Sequence, residues 1–123
     1  MPPLPPSRER RSVYGFTAVN DRGRIAGQAV IDALGWPPGT AVAVAEASGL
    51  IVVTADPGGA TRVTAQRHIR IPAVVRAWCG LVSGSWALLV ADPDHGRLVI
   101  YPPPALDALI NRVAAAAFGG DPS

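Results

Sequence analysis

Five residues in two short, turn-like stretches carry the chemistry most open to reading: Arg22, Arg24, Arg67, His68 and Arg70. A guanidinium is planar, permanently charged and forked, so it fits phosphate oxygens and the O6/N7 edge of guanine. A solvated turn can carry arginines to no purpose, but basic side chains at matching places in two parts of one chain point to contact with a polyanion. Arg62 and Arg76 would extend such a surface, and Arg8, Arg10 and Arg11 near the N-terminus would follow phosphates as a flexible basic arm.

Other chemistry has less to stand on. His68 and Cys79 could be drawn as a nucleophilic dyad, but Cys79 falls on the apolar face of a helical pattern and reads as a small buried hydrophobe. His68 and His95 with Asp92 or Asp94 could be drawn as a metal site, yet Asp92-Pro93-Asp94-His95-Gly96 has the composition of a hairpin loop. Gly84-Ser85 resembles the self-cleaving pair of a pyruvoyl decarboxylase, but the chain repeats that turn as Gly39-Thr40. Paired carboxylates, a phosphate loop and a dinucleotide fingerprint are all missing. The expectation is no enzyme, no metal and no cofactor. Trp36, Trp78 and Trp86 could serve as stacking platforms; packing in or near the core is the expected role of at least Trp78 and Trp86.

Composition narrows the setting. The chain has 123 residues, 49% hydrophobic and 16% charged, which suits one packed domain rather than a disordered segment. Its 11 basic side chains are all arginine against 9 acids, for a net charge of +2, so only clustering could make it a nucleic-acid binder. Arginine without lysine, with abundant Ala, Gly and Pro, is the mark of a GC-rich genome. A single cysteine excludes an intrachain disulfide and fits a reducing compartment, and Met1 to Arg11 lacks the apolar run of a secretory signal. A cytoplasmic protein with no membrane association is expected.

The positioning elements emerge from an internal repeat. Val13 to Val19, Ala41 to Ala45 and Leu50 to Ala55 have strand composition, and Gly27 to Leu34 places Val30, Ile31 and Leu34 on one helical face. After Asp56-Pro57-Gly58-Gly59 the pattern starts again. Val19 matches Val63, Val30 matches Val75, and Gly35, Gly39 and Gly49 match Gly80, Gly84 and Gly96, at offsets of 44 residues rising to 47. Glycines recurring at both turns have backbone work to do. Each copy reads β-β-α-β-β and is too short for a core of its own, so two copies would interleave to bury each other's apolar faces. The expected organisation is a Pro/Arg-rich arm at 1–12, a tandem barrel at 13–104 (repeats 13–55 and 60–102), a helix at 105–118 and a tail at 119–123. Pro102-Pro103-Pro104 would stop the last strand, and Leu106, Leu109, Ile110, Val113 and Ala117 would form one face of that helix. Leu34 and Cys79, equivalent by the repeat, are both expected to be buried.

The second copy, Gln66 to Leu81 with Ser83-Gly84-Ser85, resembles the AbrB/MazE/SpoVT swapped-hairpin family. Ile71-Pro72, Val75-Arg76, Gly80-Leu81 and Gly84 stand where that family's pattern G-R-V-T-I-P-x-x-[IV]-R-x-x-L-G-[IL]-x-x-G-D puts them. The first copy has Gly23-Arg24, Leu34-Gly35 and Pro38-Gly39-Thr40. Ala26-Gly27 replaces Ile-Pro in the first copy, and Arg67-His68 replaces Gly-Arg in the second. The Asp-x-x-x-Arg signature of the tandem relative MraZ is not reproduced. The resemblance implies a mainly β fold with short helices, two β-β-α-β-β repeats interleaved into one swapped-hairpin barrel. It also implies a double-stranded-DNA-binding transcriptional regulator that uses Arg22, Arg24, Arg67, His68 and Arg70 on one face. The alternative is an antitoxin-like module that binds a toxin-like protein partner, with DNA binding weak or lost. A homodimer through the C-terminal helix is compatible with either.

Overall fold

The computed structural model describes residues 13–118; the expected arm, with Arg8, Arg10 and Arg11, and the tail lie outside the described residues. The elements are β1 (Val13–Ala18), β2 (Arg24–Ala26), α1 (Gln28–Ala33), β3 (Ala41–Ala47), β4 (Leu50–Ala55), β5 (Thr61–Arg62), β6 (His68–Arg70), α2 (Ala73–Cys79), β7 (Trp86–Asp92), β8 (Arg97–Tyr101) and α3 (Pro103–Ala117). Six strands form one antiparallel sheet, ordered β1-β7-β8-β4-β3-β5 and curled into a half-barrel, while β2 and β6 form a separate two-stranded ribbon.

Strand periodicity supplies the core. Ile51 and Val53 of β4, Ala87, Leu89 and Ala91 of β7, and Leu98 and Ile100 of β8 alternate inward and are buried. They join Ile25 and Ile69 of the ribbon, Val30 and Ile31 of α1, and Val75 and Cys79 of α2 in one apolar cluster. The β3–β4 hairpin turns on Ser48 and Gly49, both at positive φ (54° and 82°), as a tight two-residue hairpin requires. Between β4 and β5 a Cβ on Gly59 would run into the Val42 carbonyl, so only glycine passes there.

Strands cross between the two halves. β1 pairs with β7, β5 with β3 and β2 with β6. The backbone bonds are reciprocal: Val19 N–H donates to Ser85 O and Val63 N–H to Thr40 O, each at 2.9 Å. Gly84 N–H donates to Val19 O and Gly39 N–H to Val63 O, each at 2.8 Å. Ile71 N–H donates to Gly23 O at 2.9 Å, and Gly27 N–H to Arg67 O at 3.2 Å. Each bond has its counterpart at the spacing read from the glycines. α1 packs on β1 and β7, and α2 on β3 and β4.

Several expectations need correcting. The C-terminal helix begins at Pro103, not Ala105, because proline lacks only an N–H that the first helical turn leaves unpaired anyway. Leu34 is half-buried, since α1 ends at Ala33 and Leu34 is its C-terminal cap. Past the left-handed Gly35, Trp36 enters the core instead, at 6% exposure, where its repeat counterpart Leu81 is also buried. Trp78 and Trp86 are outside, at 68% and 55% exposure. Their counterparts Ala33 and Ala41 are half-buried alanines. None of the side chains of α3 is buried; Leu106 and Leu109 are half-buried, and Ile110 and Val113 are exposed. Among the described residues, no helix is long and apolar enough to cross a membrane.

Ile25 and Ile69 are register partners, both fully buried. Ile25→Ala and Ile69→Ala should each lower unfolding free energy by about 2–4 kcal/mol. Because the two touch one shared site, the double variant should depart from additivity in urea unfolding by at least about 0.5 kcal/mol.

Candidate functional site

Two capped turns aim the ribbon. Asn20 Oδ1 accepts the N–H groups of Arg22 and Arg24, each at 2.9 Å, and Thr64 Oγ1 accepts the N–H of His68 at 3.0 Å. Gly23 N–H closes on Asn20 O, and Arg67 N–H on Thr64 O, both at 3.0 Å. Gly23 and Arg67 occupy the same left-handed position, with φ of 77° and 64°. A glycine accepts that conformation freely, whereas an arginine there is held by its surroundings.

With Ile25 and Ile69 turned inward, the ribbon's outer face presents Arg24 directly opposite Arg70, and Ala26 opposite His68. Arg22, Arg24 and Arg70 line one cavity of about 250 Å³. Arg76, on α2, lies against Gly23, where an added Cβ would come within 2.6 Å of its Cζ, and its Nε donates to Ile71 O at 2.8 Å. Among the described residues, none of these four guanidinium groups is ion-paired to a carboxylate. The site is a concentration of positive charge on short, well-anchored strands, and it can hold an anion.

Arg67 does not join it. Its left-handed backbone sends the side chain toward α1, where Nε lies 2.9 Å from Asp32 Oδ1 and Nη1 donates to Ala65 O at 3.2 Å. It borders a different pocket, with Asp32, Gly35, Trp36 and Pro37. His68 is half-buried at the ribbon's other end. Arg62 donates from Nη1 to Gly39 O at 3.0 Å. The sequence reading missed Asp32 as the partner of Arg67, and also the turn-making pair Asn20 and Thr64. That pair left a signal, two short polar side chains at the repeat spacing.

Cys79 is buried at the end of α2, where burial, with the nearby negative charge of Glu46, pushes its thiol up. No hydrogen bond joins it to His68 among the described residues, and burial and protonation both suit a packing role. His95 and Asp92 form a local cluster at the β7–β8 connection, with Nδ1 of His95 2.8 Å and Nε of Arg97 3.1 Å from Asp92 Oδ2.

The chain matches no family model, no curated protein and no solved structure. Its function is read from the ribbon.

The Asp92 cluster has a pH consequence. Burial alone would raise the Asp92 carboxyl, but the hydrogen bonds and charges of His95 and Arg97 outweigh it and hold the carboxyl below its ordinary value. A depressed carboxyl pKa contributes stability above the unfolded value, about 3.9, and that contribution is lost as pH falls through the folded value. Asp92→Asn should therefore melt below the parent protein at neutral pH, and the two melting temperatures should converge once the pH is below the folded-state value.

Proposed function

We propose that this protein is a cytoplasmic, double-stranded-DNA-binding transcriptional regulator of the AbrB/MazE/SpoVT type, with both halves of a swapped-hairpin barrel in one chain. The reciprocal backbone bonds between the halves support the tandem arrangement. The observation that carries the function is the ribbon's register: Arg24 stands opposite Arg70, with Arg22 on the same cavity, and no carboxylate answers them among the described residues. Like charges facing directly across a ladder destabilise it. A phosphate backbone relieves that repulsion, and its affinity comes mainly from released counterions. One or two of the same side chains would read base edges.

Fluorescence anisotropy of a labelled duplex, titrated with salt, tests this. Arg22→Ala, Arg24→Ala and Arg70→Ala should each weaken binding across sequences and reduce the log–log salt slope by roughly one. Arg97→Ala, in the hairpin that carries Asp92, should leave the slope alone. A folded triple variant that binds with the parent slope would overturn the reading.

One observation favours a second reading, a module that binds protein. Phe16 and Trp86 stack at 5.2 Å between ring centroids, yet are 57% and 55% exposed, and α3 leaves Ile110 and Val113 in solvent. A toxin-like partner or a second copy seated through α3 would cover such surface. Under this reading the full chain sediments as more than a monomer and Val113→Glu returns it to one, or it recovers a protein partner that Trp86→Ser loses.

A further inference from the structure

The duplication has not placed its charges symmetrically. At the repeat spacing of 44 residues, Arg24 corresponds to His68 and Ala26 to Arg70. Antiparallel pairing about Ile25 and Ile69 therefore brings the two arginines to the same end and leaves Ala26 facing His68 at the other. Arg22 and the guanidinium of Arg76, beside Gly23, belong to the arginine end. The turn at the opposite end contributes Arg67, but its Nε is 2.9 Å from Asp32 Oδ1. Both members of that ion pair lack a counterpart: the residue equivalent to Arg67 is Gly23, and the residue equivalent to Asp32 is Ala77.

We propose that the ribbon is a one-ended phosphate reader. Arg22, Arg24 and Arg70 take the anionic oxygens, while Asp32 acts as a positioning residue that keeps Arg67 off the contact surface and neutralises it. One chain then makes one cluster of phosphate contacts, where a symmetric barrel would make two. This rests on the DNA reading above for the source of the phosphate, but the division into a live end and a cancelled end does not. The left-handed backbone of Arg67 fits the same account, because a conformation that disfavours an arginine persists where the Asp32 ion pair holds the side chain.

The test uses the full chain and a random-sequence duplex, with circular dichroism melts to confirm that each variant is folded. Arg24→Ala should lower the salt slope by roughly one and Arg67→Ala should leave it unchanged. Asp32→Asn should raise the slope by roughly one by freeing Arg67, and adding Arg67→Ala to Asp32→Asn should restore the parent value. An Arg67→Ala loss equal to that of Arg24→Ala, or an Asp32→Asn slope identical to the parent's, overturns the proposal. A second arm titrates inorganic phosphate and follows the arginine Nε–H resonances. Shifts at Arg24 and Arg70 with Arg67 still support the one-ended site even where duplex binding fails, which would sink only the DNA reading. Equal shifts at all three overturn it.

Discussion

The strand pairing between β2 and β6 is the constraint on which the remainder of the structure depends. Backbone groups taken from water must find partners, and the partners of β1, β2 and β5 all lie in the opposite half of the chain. A single repeat would hold its own hairpin, β3–β4 or β7–β8, and leave its other strands unpaired. Ile25 and Ile69 sit where the two halves meet, fully buried, and join the core that the curled sheet packs around. Because both halves lie in one chain this meeting is intramolecular, so its effective concentration is set by the linker rather than by the protein concentration. That linker is short, residues 56–60 between β4 and β5.

The same constraint bears on which positions match between the two halves and which do not. Several positions tied into the core keep their type, Val19 and Val63, Ile25 and Ile69, and Val30 and Val75, as do the turn glycines Gly39 and Gly84. Residues on the outer face of the ribbon have no such tie. There Arg24 stands for His68, and Arg70 for Ala26. A fold held by its inward face leaves its outward face free to specialise, and here the positive charge has gathered at one end.

Much of this was legible in the chain, and the rest was hidden for identifiable reasons. The glycines and the valine-rich runs gave the element order, because turns and strand periodicity are local properties. The matching positions held a clue to the tryptophans: Trp36 aligns with Leu81, which is buried, while Trp78 and Trp86 align with small, half-buried alanines. Hydrophobicity alone pointed the other way. Pro103 and Pro104 read as a strand stop, although the same residues open α3. The charge asymmetry was not legible, because it depends on register. Shifting β6 by one residue against β2 would separate Arg24 from Arg70, and no local signal fixes that pairing. Nor does any spacing show that Asp32, on α1, reaches the turn of the other repeat.

The site's rigidity follows from how little of it is loop. Arg24 and Arg70 stand on three-residue strands whose central isoleucines are buried, so neither strand can roll without exposing core. Asn20 caps both Arg22 and Arg24 through one carbonyl oxygen, fixing the backbone that carries them. Gly23 supplies the left-handed corner and, lacking a Cβ, leaves the space into which Arg76 lies. A side chain at that corner would displace the Arg76 guanidinium and with it the bond to Ile71 O that steadies the start of α2. The fold thus needs a small residue at the charged end and tolerates Arg67 at the other, where Asp32 stands in the place of Ala77 and Ile31 in the place of Arg76. Electrostatic concentration at one end is therefore built into the packing beneath the ribbon, and not merely a matter of which side chains face the solvent.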